Sequence, residues 1–168
     1  MHDDAAPAHD AAPGPPTPLD GSWVTAHRNR IEVDVPLRSE LLATVRTVTA
    51  TLAADAGFTI DEIDDIRLAL AETLTAYLQR EEGQREEGQG EDGGREEGPG
   101  GDRARVTYVV AGSTLAVNVR PEQGPARVEF DELASGILAA VVDDCVTDDD
   151  GVTVVKRATE AIAADASR

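Results

Sequence analysis

Aromatic side chains are nearly absent from this sequence: one Trp, two Tyr and two Phe stand among 168 residues. Any core must therefore be aliphatic, built from Leu, Val, Ile and Ala. Cysteine is scarcer still. Cys145 stands alone, so no disulfide framework forms within the chain, which fits a reducing compartment. The three histidines, His2, His9 and His27, all fall in the N-terminal stretch. That leaves no zinc-type Cys/His cluster, and no Ser/His/Asp or Cys/His pair for hydrolase chemistry. Long apolar runs are missing too. Nothing approaches the ~18 residues of a membrane span, and the N-terminus lacks the basic-then-apolar pattern of a signal peptide. The expectation is a cytoplasmic protein.

Positive charge is the other shortage. Fifteen Lys and Arg face 33 Asp and Glu, a formal net charge of −18. Such a surface repels phosphate backbones and anionic headgroups, which excludes direct nucleic-acid and membrane binding. It favours a basic protein partner, although solubility alone accounts for much acidity of this kind.

Composition divides the chain. Residues 1–28 are rich in Ala, Asp, Pro and Gly and read as a disordered tail, because they bury too little to offset ordering entropy. Trp23 is the exception there, packed back on the domain, exposed, or serving as a partner anchor. Residues 80–103 carry the unit REEG three times, from Arg80, Arg85 and Arg95, with no apolar residue between. They read as a low-complexity loop. Residues 159–168 form an Ala-rich C-terminal tail. Setting aside residues 1–28 and 80–103 leaves roughly 115 residues to fold, enough for one core, with the domain spanning 29–158.

Within them the periodicities are legible. Ile31, Val33 and Val35 alternate with Glu32 and Asp34, the pattern of a half-buried strand. A helix is predicted from Ser39, its N-cap, to Asp55, with Leu41, Leu42, Val45, Val48 and Leu52 as its apolar stripe. A second helix starts at a capping box of Thr59 and Glu62, with Phe58 and Ile63 as a hydrophobic staple. Its stripe is Ile63, Ile66, Leu70, Leu74 and Tyr77. Asp65, Ala69, Glu72 and Ala76 fall on the opposite, small and acidic side. Two strands around Val106–Val110 and Leu115–Val119 flank a tight turn at Gly112-Ser113. After a short extended piece, RVEF, Asp131 caps a helix to about Asp144, with Leu133, Ile137, Leu138, Val141 and Val142 inside. CVTDDDG reads as an acidic turn and VTVVKR as a final strand. Hairpin strands with one-faced helices imply an α/β (α+β) two-layer sandwich with a mixed or antiparallel sheet.

Three segments carry a resemblance. GFTIDEIDDIRLALAETLTAYL, the preceding PLRSELLATVRTVTATLAADAG and the later ELASGILAAVVDDCVTDDDGVTVVKR resemble the helices and last strand of the anti-sigma-factor serine kinases and their actinobacterial relatives. These belong to the histidine-kinase-like (GHKL, Bergerat-fold) ATPases. The resemblance implies that family's two-layer sandwich, in which helices and loops enclose ATP. In the family's helix motif an acidic residue polarises the nucleophile, and an Asn one turn later helps hold Mg²⁺. Glu72 matches the acid, and Ala76 stands at the Asn position. The family's D-x-G-x-G adenine loop corresponds to RPEQGPARVEFDE, which keeps only Gly124. Its phosphate-wrapping glycine segment is partly matched by Ser135-Gly136-Ile137-Leu138. A methyl group cannot replace an oxygen ligand of Mg²⁺, so the resemblance implies a degenerate site at which ATP and Mg²⁺ are disfavoured.

Three functions follow. The first is a partner-switching regulator that binds a sigma factor or a STAS-domain anti-anti-sigma protein, alone or as a homodimer. The second is an active ATP-dependent serine/threonine-protein kinase of the same fold. The third is an orphan α/β module without nucleotide. Glu72 itself reads either as a relic general base or as a solvent-facing helix residue. Asp143, Asp144, Asp148, Asp149 and Asp150 lack the ligand spacing of a Ca²⁺ loop and read as a solvated turn, with no metal. Cys145, in that acidic setting, reads as a packing residue.

Overall fold

Among the described residues, five antiparallel strands carry three helices on one face, in a two-layer arrangement whose core is aliphatic. The structure, a computed structural model, describes residues 24, 27, 30–38, 42–87 and 103–159. The elements are β1 (Arg30–Pro36), α1 (Leu42–Asp55), α2 (Ile60–Glu87), β2 (Arg103–Ala111), β3 (Thr114–Pro121), α3 (Glu132–Val141), β4 (Asp144–Asp148) and β5 (Gly151–Arg157). The sheet order is β1-β2-β3-β5-β4. Ser39 and Leu41, expected in the first helix, lie outside the described residues, as do Trp23 and residues 88–102.

Strand alternation places one row of side chains on the helices. Val106 pairs with Val119 and Tyr108 with Val117 across β2 and β3. Val117 and Val119 in turn oppose Val154 and Val152. These meet Ile66, Leu70, Leu74 and Tyr77 of α2 in one buried cluster. Burying a side chain of the Leu or Ile class contributes about 1.5–3 kcal/mol. The hydroxyl of Tyr108 is carried into this core with its own partners. It donates to the Val45 carbonyl at 3.4 Å, and Thr49 Oγ1 lies 3.4 Å away. Burial pushes its phenol up to about 12.

The α2 start is the expected capping box. Glu62 N–H donates to Thr59 Oγ1 at 3.3 Å, and the Glu62 carboxylate accepts the Thr59 N–H at 2.8 Å. Asp131 caps α3, accepting the Ala134 N–H at 2.7 Å. The β2–β3 turn is Gly112-Ser113, with Ala111 paired to Thr114 and Gly112 at φ 59°, a conformation that side chains with a Cβ resist.

Several expectations need correction. The helix α2 runs to Glu87, well into the stretch expected to be loop from residue 80, because Glu, Gln and Arg sustain a helix without burial. Ala69, placed opposite the apolar stripe on the small and acidic side, is fully buried. α2 packs against α1, α3 and the sheet together, so its buried arc is wider than one stripe. The acidic turn around Cys145 and Val146 contains a strand, β4, hairpinned to β5, and Cys145 is exposed on this edge rather than packed. α3 stops at Val141, and Leu133 is 73 % exposed where burial was expected. Val24, inside the expected tail, is completely buried.

Candidate functional site

One turn of helix separates Glu72, Ala76 and Arg80, which therefore share a face of α2. That face forms one wall of an open cleft of about 480 Å³. The opposite wall is the segment Arg127–Asp131, with Glu129 between them, at the entry to α3. This wall has no regular secondary structure, and α2 holds it in place. The Tyr77 hydroxyl donates to the Ala126 carbonyl. The Arg80 guanidinium donates to the carbonyls of Pro125 and Arg127 and lies 5.1 Å over the Tyr77 ring, within cation–π range. Burial raises the Tyr77 phenol well above the usual tyrosine range, so it stays a neutral donor.

Charge in the cleft is mixed. Glu72, Glu129 and Asp131 are set against Arg80 and Arg127. Three of these are already engaged: Asp131 by the α3 N-terminus, Arg127 by Asp149 at 2.9 Å, and Arg80 by the carbonyls of Pro125 and Arg127.

The structure brings Glu72 and Ala76 together on the cleft wall and leaves the two glycines elsewhere. Gly124 (φ 76°) sits in the turn after β3 and does not line the cleft. Gly136 lies within α3 on a shallow groove with Leu133, Ile137 and Ala140, away from Glu72. Glu72 is neither deeply buried nor fully exposed. Arg80, Arg127 and Glu129 escape sequence reasoning. Arg80 was legible only as the next turn after Ala76, and it opens the first REEG unit.

A metal–triphosphate site of the family pattern asks for an oxygen beside the acid. Ala76 offers only a methyl group on the cleft wall. These residues do not fit such a site. No helix among the described residues is long and apolar enough to cross a membrane.

No protein-family model matches the chain. A stretch of 45 residues is 42% identical to the serine-protein kinase RsbW of Halalkalibacterium halodurans, covering 27% of this chain and 28% of that protein. The chain thus matches under a third of that relative's length, and over that stretch the likeness supports the resemblance read from its helices.

Proposed function

We propose that this chain is an anti-sigma-like regulator that acts in the cytoplasm by binding protein partners, a sigma factor or a STAS-domain anti-anti-sigma protein, with ATP binding weak or absent. The observation that carries it is the cleft wall. Glu72 and Ala76 stand one turn apart on it, so the acid of the resembled motif is kept while its metal-binding oxygen is replaced by a methyl group. Phosphoryl transfer depends almost wholly on metal and positioning. The buried cluster beneath the helices does not include Glu72, so loss of cleft chemistry leaves the fold, and with it the helix face, able to serve a partner. The local likeness to a serine-protein kinase supports the regulatory class.

Nucleotide titration followed by thermal stability tests the first half. A ligand at 100 times its dissociation constant adds about 2.7 kcal/mol, and Mg·ATP is expected to add far less. Affinity capture from the native cytoplasm, at low and moderate salt, tests the second. Recovery of a sigma factor or a STAS-domain protein supports the reading; recovery of neither favours the orphan module. With a net charge of −18, association with a basic surface slows as salt rises. One observation favours the kinase instead: Glu72 lines the cleft. Serine phosphorylation of a co-purified STAS protein, abolished by Glu72→Ala, would establish that reading in place of ours.

A further inference from the structure

The sheet has two faces, and the helices cover only one. Thr107, Asn118 and Thr153 lie side by side on the other, in register across β2, β3 and β5, because Val106, Tyr108, Val117 and Val154 point into the helix layer. Side chains on an uncovered sheet face meet water. Yet these three are 1 %, 1 % and 0 % exposed. One step along the strands, Val109, Ala116 and Val155 are buried as well, and the fourth member of their cluster is Val24. Val24 belongs to no strand and comes from the stretch before β1. Two hydrogen bonds link Val24 to the first residue of β1: the His27 N–H donates to the Val24 carbonyl at 3.3 Å, and Arg30 donates to the His27 carbonyl at 3.2 Å.

We propose that the outer sheet face is a docking surface whose occupant is the chain's own N-terminal segment, seated through Val24 on Val109, Ala116 and Val155. The apolar contact anchors the segment, and the neighbouring polar row is shielded by it, with Asn118 Nδ2 satisfied by Thr153 Oγ1 at 3.0 Å. The segment keeps an apolar sheet face from stacking on a second copy. This inference does not rest on the cleft between Glu72 and Glu129, which is walled by α2 and the entry to α3.

Thiol labelling of the full chain tests it, with Cys145→Ser removing the native cysteine and Thr107→Cys placing a reporter on the outer face. Labelling of the folded chain is expected to be slower than in denaturant by about 100-fold or more, and Val24→Asp should speed it at least about tenfold by driving the segment off. Thr153→Cys should behave in the same way. If Val24→Asp prevents folding, as circular dichroism would reveal, Val24→Ala decides, with an intermediate acceleration expected. Rapid labelling in the full chain, or rates indifferent to both Val24 substitutions, would overturn the proposal. Protection that appears only at high protein concentration would overturn it too, by making a second copy the occupant.

Discussion

The Glu62 carboxylate accepts the backbone N–H of Thr159 at 2.6 Å, across 97 positions of sequence. Its other oxygen accepts the Thr59 N–H at 2.8 Å and the Thr59 hydroxyl at 2.9 Å. One side chain thus closes the start of α2 and pins the chain as it leaves β5. The Thr159 N–H, and after it the Thr59 N–H, hold the carboxyl down at about 2 against the opposing effect of burial.

Glu62→Gln should therefore destabilise the protein by about 1–3 kcal/mol, the range for hydrogen bonds to a charged group. The sign of the pH dependence follows from a folded value below the ordinary one of 4.5. The stabilisation is complete above 4.5 and is lost as pH falls from there toward about 2. Thermal melts of both proteins across that window should converge at its acid end.

Lys156 Nζ donates to Asp65 Oδ2 at 2.9 Å and to the Val141 carbonyl at 2.8 Å, so one ammonium ties β5 to α2 and to the C-terminal end of α3. A cation there also complements the helix dipole. Lys156→Met should cost about 1–3 kcal/mol in denaturant unfolding. Asp65→Asn should cost less, about 0.5–1 kcal/mol, since Asp65 is 38 % exposed and its pairing is screened.

Gly151 opens β5 at φ 114°, and a Cβ there would collide with the Val119 carbonyl oxygen. That oxygen belongs to the backbone of a central strand and cannot step aside. Gly151→Ala should cost at least about 3 kcal/mol, from backbone strain and displaced pairing together. A lowered melting temperature with reduced amide protection at Val119 and Val152 is the expected result.

Tyr77→Phe removes the hydroxyl that holds the cleft wall at Ala126. The global loss should be about 1 kcal/mol. The local effect should be larger, with faster hydrogen exchange confined to residues 126–130.

Ala76→Asn returns an amide oxygen to the cleft wall one turn from Glu72. Alone it should leave Mg·ATP binding undetected in the micromolar range, because the stretch after β3 holds Gly124 away from the cleft. Isothermal titration of this variant beside the parent checks it.

How much was legible in the sequence depended on whether the signal was local. Thr59, Glu62 and Asp131 announced their helices because a cap is made within four residues. The Gly112-Ser113 hairpin was legible for the same reason. β4 was not, since Asp144–Asp148 offers only Cys145 and Val146 as apolar residues. Its acidic character is that of a blunted sheet edge, which sequence alone cannot tell from a turn. Ala69 was not read as core because the width of a helix's buried arc depends on how many neighbours it has. Within the site, the Glu72–Ala76 pair was readable from helical spacing. The opposite wall, from Arg127 to Asp131, was not, because tertiary hydrogen bonds from Tyr77 and Arg80 bring it to α2.

The pairings in the order β1-β2-β3-β5-β4 differ in the chain entropy that each consumes. β2 with β3 and β4 with β5 close through two-residue turns, whereas Arg30 must find Val109 across both long helices. Closing that large loop comes with little local reward. A folding nucleus is thus expected in the C-terminal half, with β1 joining after the transition state. Substitutions in β1 such as Val33→Ala would then act on the unfolding arm of a chevron, while Val117→Ala would slow folding itself.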